Sequence, residues 1–429
     1  MTYAEALARL LALRGGEHAG MRPGLERIEA LLEALGHPEQ SFTIAQVGGT
    51  NGKGSVAAML ASMLKADGRR VGLYTSPHLV SFRERIRVNG EAIAEDAVVD
   101  GVEALGTLVA RLDASVFEAT TALALDHFAR ERVDVAVLEV GLGGRYDATT
   151  VGRPAVTVLT PIDLDHQEYL GNTLAEIAGD KAHIVRAGTA ISAAQMPEAA
   201  APIVEHAARA KVPLLVAGRD LTVALRARSL DGQTVDCAGP DFRLEGLDFR
   251  LLGTYQPGNA LLAVTAAHVL GGSPRAIREG IARAQWPGRF EVRRRPGGWL
   301  VLDGAHNPAG ARALAESLTA YFGDTPMTLV LGVFRDKDAA GILAPLLGRA
   351  RRVVLTAPAN PRAAKPEDLR RLMPAALPVT VASSVADALE RAADPAVPLV
   401  CVAGSLSLIG DALRSLVGGD TPCPVEISV

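Results

Sequence analysis

Three features of the sequence predict an α/β protein built in two units. A glycine-rich stretch, Gly48-Gly49-Thr50-Asn51-Gly52-Lys53-Gly54-Ser55, stands between an apolar run, Phe42 to Val47, and an Ala-, Met- and Leu-rich run, Val56 to Ala66. Apolar strands ending in polar residues then alternate with helical patterns, and the stretch from Gly188 to Gly253 turns β-rich. A second strand–helix series begins at Trp299, after the basic, Pro/Gly-containing Arg293-Arg294-Arg295-Pro296-Gly297-Gly298. The expected fold is therefore a P-loop-type, mainly parallel sheet domain with a small β-rich part over residues 1–292. A solvated linker follows over 293–298, and a smaller Rossmann-like α/β domain over 299–429.

The bulk composition agrees. A chain of 429 residues exceeds one ordinary core, and 48% hydrophobic residues can fill two. A formal net charge of −4 gives no electrostatic case for nucleic acid or an anionic membrane, and 4% aromatic residues leave few stacking platforms. Three well-separated cysteines, Cys237, Cys401 and Cys423, form neither metal spacing nor a disulfide framework, which suits a reducing cytoplasm. Met1 to Arg14 lacks a basic stretch followed by an unbroken apolar one, so it is not read as a signal peptide. Pro398 to Gly418 is interrupted by Ser405, Asp411 and Arg414 and reads as a strand and a helix.

Taken in order, Thr2-Tyr3-Ala4-Glu5 has capping-box spacing and opens a helix to about Leu13. A second helix runs through Leu25 to Leu32. The Gly15 to Gly24 loop between them is either a plain connection or a substrate contact. The glycine loop has the strand-before, helix-after context of a phosphate cradle. Its N–H groups and the helix N-terminus favour an anion, Lys53 adds a full charge, and Ser55 is placed to reach magnesium. The spacing is not the usual one, because only three residues separate Gly48 from Gly52 and Gly54 intervenes between Lys53 and Ser55.

Arg70 to Tyr74 is the next strand, ending at Thr75-Ser76-Pro77-His78-Leu79. Asn89-Gly90 turns a hairpin over 86–93. Helices follow at about 94–112 and 117–132, with Glu118 either favouring the helix dipole or serving a site. Val133 to Val140 is the clearest buried strand. Its Glu139 demands a partner, and a magnesium role is the reading that accounts for it. Ala155 to Thr160 opens into Asp163-Leu164-Asp165-His166. Lys181, on a helix, reads as a solvated charge. Asp231-Gly232 and Glu245-Gly246 read as turns, and Gln256-Pro257-Gly258-Asn259 caps a helix to about Leu270. In the second unit, strands at 299–303, 327–333, 352–357, 379–381 and 399–402 alternate with helices; the first ends in Asp303-Gly304-Ala305-His306-Asn307-Pro308. No G-x-G-x-x-G accompanies them, so a dinucleotide site is not supported.

With Gly49 to Ser55, Thr75 to Leu79, Leu138 to Arg145, Leu164-Asp165-His166, Lys181-Ala182, Pro257 to Ala260, Pro287 to Phe290 and Asp303 to Pro308 assembled in this order, the chain resembles the bacterial folylpolyglutamate synthase/dihydrofolate synthase group. These are Mur ligase-type, ATP-dependent amide ligases, and the resemblance covers nearly the whole chain. It implies glutamate addition to dihydropteroate, to tetrahydrofolate polyglutamates, or to both, through an acyl phosphate. Thr50, Asn51, Gly52, Lys53, Gly54 and Ser55 would hold ATP phosphates. Asn259, Arg289, Asp303 and His306 would complete the nucleotide site. Ser76, Glu139 and His166, with Ser55, would hold magnesium. Lys181 would be carbamylated and serve a second ion, against the reading of its residue type alone. Catalysis would fall to Lys53, Lys181, Asp303 and His306. Phe117, Glu118, Tyr146, Asp147 and Ala148 would face the pteridine.

Gly48 stands where the group usually has Ala, Tyr146 where Leu is common and Thr150 where Asn is common; the last two bear on substrate preference. The expected partners are small molecules only, and the expected state is a cytoplasmic monomer without nucleic-acid or membrane partners. A cell-wall Mur ligase is the nearer rival, but the 47 residues before Gly48 are too few for its usual extra domain. A non-catalytic ATP switch is the other.

Overall fold

The computed structural model describes residues 1–13, 23–394 and 396–417. Most of the Gly15 to Gly24 loop, and Cys423, lie outside them. Two sheets organise the chain. The first has eight strands: β1 (Thr43–Gly48), β2 (Val71–Tyr74), β3 (Ile86–Val88), β4 (Glu91–Ala92), β5 (Val135–Glu139), β6 (Pro154–Leu159), β7 (Thr189–Ser192) and β8 (Leu214–Val216). Their spatial order is β4-β3-β2-β5-β1-β6-β7-β8, parallel from β2 to β8, with the Asn89-Gly90 hairpin added antiparallel at one edge. Both central residues of that turn have positive φ, 52° and 88°, as a tight hairpin requires.

The central strands are apolar throughout because helices cover both faces. On one side the Lys53–Ala66, Gln256–Val269 and Pro274–Arg283 helices close a core with Val47, Val137 and Val158. On the other, the Val116–Arg130 helix packs on Tyr74, Ala136 and Leu138. Register brings the strand ends together. Val47 lies opposite Glu139 and Gly48 opposite Leu159, so β1, β5 and β6 end along one edge of the sheet. That is where open parallel sheets gather ligands.

β9 (Thr222–Ser229), β10 (Gly232–Gly239) and β11 (Phe242–Phe249) form a separate antiparallel sheet against the Gln256–Val269 helix. Asp231-Gly232 is a turn, as expected. Glu245-Gly246 is not: it lies inside β11, where the register slips and Gly246 takes φ 61°. Glycine here supplies a bulge rather than a reversal. The expected 94–112 helix is also two, Glu95–Leu105 and Leu108–Arg111, divided at Gly106 with φ 52°.

The second sheet holds β12 (Glu291–Arg295), β13 (Gly298–Asp303), β14 (Met327–Leu331), β15 (Ala350–Leu355), β16 (Val379–Val381) and β17 (Leu399–Ala403). Their order is β12-β13-β17-β14-β15-β16, all parallel except β12. The 293–298 stretch is therefore not a solvated linker. Arg293 to Arg295 pair with β13, and Arg294 stacks its guanidinium on Trp299 at 4.8 Å. An edge strand tolerates charged side chains that a central one would not, so the basic run signals an edge. No helix among the described residues is long and apolar enough to cross a membrane. Cys237 and Cys401 are buried free thiols.

Candidate active site

The glycine loop joins β1 to the Lys53–Ala66 helix. Gly52 caps that helix at φ 95°, and a Cβ there would come within 2.6 Å of Asn259 Oδ1. At Gly54 a Cβ would lie 2.6 Å from Trp286 Nε1. The irregular glycine between Lys53 and Ser55 is thus the seat of an indole. Lys53 Nζ donates to Gly49 O at 3.4 Å and Thr50 O at 3.1 Å. Thr50 Oγ1 exchanges two hydrogen bonds with the Asp163 backbone. Ser55 Oγ accepts from Gln256 Nε2 at 3.2 Å, and Asn259 Nδ2 donates to Gln256 Oε1 at 3.0 Å.

Glu139 ends β5 and is 5% exposed. Its one hydrogen bond among the described residues comes from Ser76 N–H, 3.1 Å from Oε2. Burial pushes its carboxyl up, against Lys53 and the Ser76 N–H, which pull it down. Lys181 is buried as well, so its reading as a solvated charge is overturned: Nζ donates to Gly49 O at 2.9 Å. Burial first, and Lys53 second, push its ammonium down to about 7. The ordinary helical context of Gly179-Asp180-Lys181 hides this, since the helix turns that residue inward beneath the phosphate loop.

The second sheet supplies the opposite wall. Asp303 ends β13 and accepts from Phe290 N–H (2.7 Å), Ala305 N–H (2.8 Å) and Tyr255 O–H (3.2 Å). His306 Nδ1 carries its proton, because it faces Gly304 O at 2.8 Å and a carbonyl only accepts; burial holds this imidazole down near 4. Burial likewise pushes His166 down to about 4, partly offset by Asp165.

Asp165 is the joint between the walls. It accepts from Lys337 Nζ at 2.6 Å and Asn307 Nδ2 at 3.0 Å, with His306 Nε2 at 3.7 Å. Burial alone would raise its carboxyl, but His166, Lys337 and His306 hold it far below the usual range. Asn307 Nδ2 also donates to Asn51 Oδ1 of the glycine loop at 3.1 Å, and Asn51 Nδ2 donates back to Asn307 Oδ1 at 3.3 Å. Lys337, Asn307, Tyr255 and Trp286 were not singled out from the sequence. Only Asn307 falls inside a motif, Trp286 stands one residue before another, and nothing in the Phe334-Arg335-Asp336-Lys337-Asp338 stretch points to Asp165, 172 residues away.

The two walls enclose a cavity of about 700 Å³. Thr50 to Ser55, Ser76, Glu139, His166, Lys181, Asn259, Arg289, Asp303 and His306 all line it. Ala193, Ala217, Leu221, Leu261 and Leu262 give one lobe an apolar wall. Phe117, Glu118, Tyr146, Asp147 and Ala148 do not line this cavity; of these, Phe117 and Asp147 touch its lining residues Gly141 and Leu142. The Phe117 ring takes the space a Gly141 Cβ would need. Glu118 pairs with Arg27 at 2.8 Å and closes a capping box with Ser115. Asp147 accepts from the N–H groups of Gly141, Leu142 and Thr149. Thr150 accepts from Gln46 and donates to Gly144 O. Ala148 is buried, and Tyr146 lies under the Arg145 guanidinium at 5.1 Å.

Residues 47–267 match the Mur ligase middle domain, and residues 288–406 match the Mur ligase glutamate ligase domain. A Bacillus subtilis dihydrofolate synthase/folylpolyglutamate synthase is 36% identical, over 82% of this chain and 84% of its own. A probable bifunctional folylpolyglutamate synthase/dihydropteroate synthase of Halobacterium salinarum is 39% identical over 96% of this chain, which spans about half (51%) of that longer relative. The solved structure of Mycobacterium tuberculosis folylpolyglutamate synthase complexed with ADP superposes with a TM-score of 0.90, at 35% identity, over 98% of this chain and 100% of that one.

Proposed function

Because the chain belongs to the folylpolyglutamate synthase/dihydrofolate synthase family of Mur ligases, we infer that it joins L-glutamate to a folate-type carboxylate at the expense of ATP. The observation that carries this reading is the single cavity in which the glycine loop and Glu139 face Arg289, Asp303 and His306 from the other sheet. A ligase of three substrates needs such a cleft; a nucleotide switch does not.

The chemistry follows from charge. A carboxylate is a poor electrophile, so its oxygen first attacks the γ-phosphorus of ATP, and ADP leaves. The amine of glutamate then attacks the acyl carbon of the resulting acyl phosphate, loses a proton and expels phosphate, leaving an amide. We assign the N–H groups of Thr50 to Ser55 to the phosphates. Lys53, which leans on two neutral carbonyls, exchanges them for the stronger phosphate partner. Asn259, Arg289, Asp303 and His306 complete the nucleotide site from both walls. The walls exclude water that would hydrolyse the acyl phosphate.

The donor set fits a hard cation. Ser55, Ser76 and Glu139 offer oxygen, and Glu139 is a buried carboxylate with one hydrogen bond among the described residues. Among the described residues no group of three His, Cys, Asp or Glu could hold an ion by itself. We assign Ser55, Ser76, Glu139 and His166 to a magnesium ion. Magnesium, when bound, offsets the charge of the transferring phosphoryl group. An ammonium brought down to about 7 leaves Lys181 substantially a free amine. That amine would add to CO₂ with release of a proton, and the carbamate so formed would offer an oxygen to a second ion.

We place the pteridine against the Gly141–Ala148 turn. We assign Phe117 and Tyr146 to contribute their rings, Asp147 to fix the turn through the N–H groups of Gly141, Leu142 and Thr149, buried Ala148 to pack beneath it, and Glu118 to hold Arg27 at the start of the Val116–Arg130 helix. The enzyme is read as a cytoplasmic monomer of folate biosynthesis and one-carbon metabolism.

Glutamate-dependent ADP release with ATP, magnesium and either dihydropteroate or tetrahydrofolate tests the reading. Turnover with both establishes two activities, and turnover with one assigns the chain to that half. Absence of turnover in folded protein that still binds ATP overturns it.

A further inference from the structure

The Ser76-Pro77-His78-Leu79 loop belongs to the first unit, yet its far side rests on the second. Leu79 and Val80 pack against the cluster built from Leu302, Leu408, Ile409 and Leu413. The Leu79 side chain meets Ile409 over Gly288: a Cβ at Gly288 would lie 3.0 Å from Ile409 Cγ2 and 3.4 Å from Leu79 Cδ1. One turn of the Leu406–Val417 helix approaches the loop backbone to backbone. A Cβ at Gly410 would fall 1.9 Å from the Leu79 carbonyl oxygen and 2.9 Å from its carbon. No flexible side chain is available to yield, so the loop itself would have to move.

The loop is otherwise tightly held. Glu84 accepts the N–H groups of Leu79 at 3.0 Å and Val80 at 2.9 Å, and Glu139 accepts that of Ser76 at 3.1 Å. A displacement at Leu79 therefore passes along three residues to Ser76 and its Glu139 contact. We propose that Gly410 is a positioning residue for the phosphate and magnesium end of the site. It is a seat on the second unit that sets where the Ser76 loop presents its oxygen and its N–H to Glu139. Gly410 touches no reacting atom; it acts through Leu79. Correct docking of the glutamate-ligase half thereby becomes a condition for forming the metal end of the nucleotide site. This rests on the assignment of Ser76 and Glu139 to magnesium.

The test is the affinity of a non-hydrolysable ATP analogue, measured by calorimetry with and without magnesium on the full chain. In the parent protein, magnesium should tighten binding. If it does not, the magnesium assignment fails, and that outcome is distinct from a failure of the Gly410 role. Given the tightening, Gly410→Ala should reduce the magnesium-dependent gain at least fivefold and kcat about tenfold, and leave the magnesium-free affinity within twofold. Ser415→Ala, on the exposed side of the same helix, should change neither. A merely structural role would lower the active fraction without touching the ratio of the two affinities. Leu79→Ala leaves the backbone contact with Gly410 but removes the loop's side-chain packing on the Ile409 cluster, so it loosens the same seat; it should shift the ratio in the same direction and decides the matter if Gly410→Ala does not fold. A ratio within twofold of the parent in every folded variant overturns the proposal.

Discussion

Glu139 and Asp303 look alike from almost every side. Each is the last residue of a buried parallel strand, each lines the cavity, and they are 5% and 4% exposed. Burial pushes both carboxyls up. They differ in what faces them. Glu139 accepts one N–H among the described residues. Asp303 accepts two N–H groups and a phenol, and so fastens the Phe290 segment and Tyr255 to the end of β13. The number of donors, rather than burial, separates the two: Glu139 keeps most of its acceptor capacity unused among the described residues, whereas Asp303 also ties the chain together.

The largest expected effect falls on the sparsely bonded acid. Glu139→Gln should lower ATP turnover by about 10²–10³-fold, with a melting temperature close to the parent's. Turnover near the parental rate would remove Glu139 from the site and erase the contrast. Asp303→Ala should lower turnover as well, but with a large loss of stability beside it. It leaves three buried donors unpaired, a loss on the order of 3 kcal/mol, read as a lower denaturant midpoint. An unchanged midpoint would mean that its hydrogen bonds are replaceable.

Lys181 extends the contrast through pH. Its ammonium is brought down to about 7, so protonation wins as pH falls below 7, and the free amine then declines by roughly tenfold per unit. Turnover should fall with that slope on the acid side, and added bicarbonate should partly restore it. A flat profile from pH 8 to 6 would show that no free amine is needed. The smallest effect belongs to Tyr255→Phe, which deletes one of the three donors on Asp303. The expected loss is about 1 kcal/mol in the same denaturant titration. A loss as large as that of Asp303→Ala would mean that the phenol alone carries the anchor.

Strand ends and loops were legible in the sequence wherever the signal is local. The β1–loop–helix unit, the Asn89-Gly90 hairpin and the strand alternation of the second unit all depend on periodicity and turn chemistry within some ten residues. The assembly of the cavity does not. Ser76 reaches Glu139 across 63 positions, Tyr255 reaches Asp303 across 48 and Lys337 reaches Asp165 across 172. Family resemblance corrected the reading of Lys181, because residue type alone favours solvent for a helical lysine. It gave nothing for Lys337, and charge content misled at Arg293 to Arg295, where an edge strand resembles a linker.

The indole seated on Gly54 has a practical consequence. The chain has two tryptophans. Trp299 lies on β13 beside Arg294 and Phe322, away from the cavity lining, whereas Trp286 touches the phosphate loop. Replacing Trp299 by Phe leaves a single emitter at Gly54. Nucleotide binding and release should then register as a fluorescence change in the unlabelled enzyme, on the millisecond scale of a stopped-flow trace.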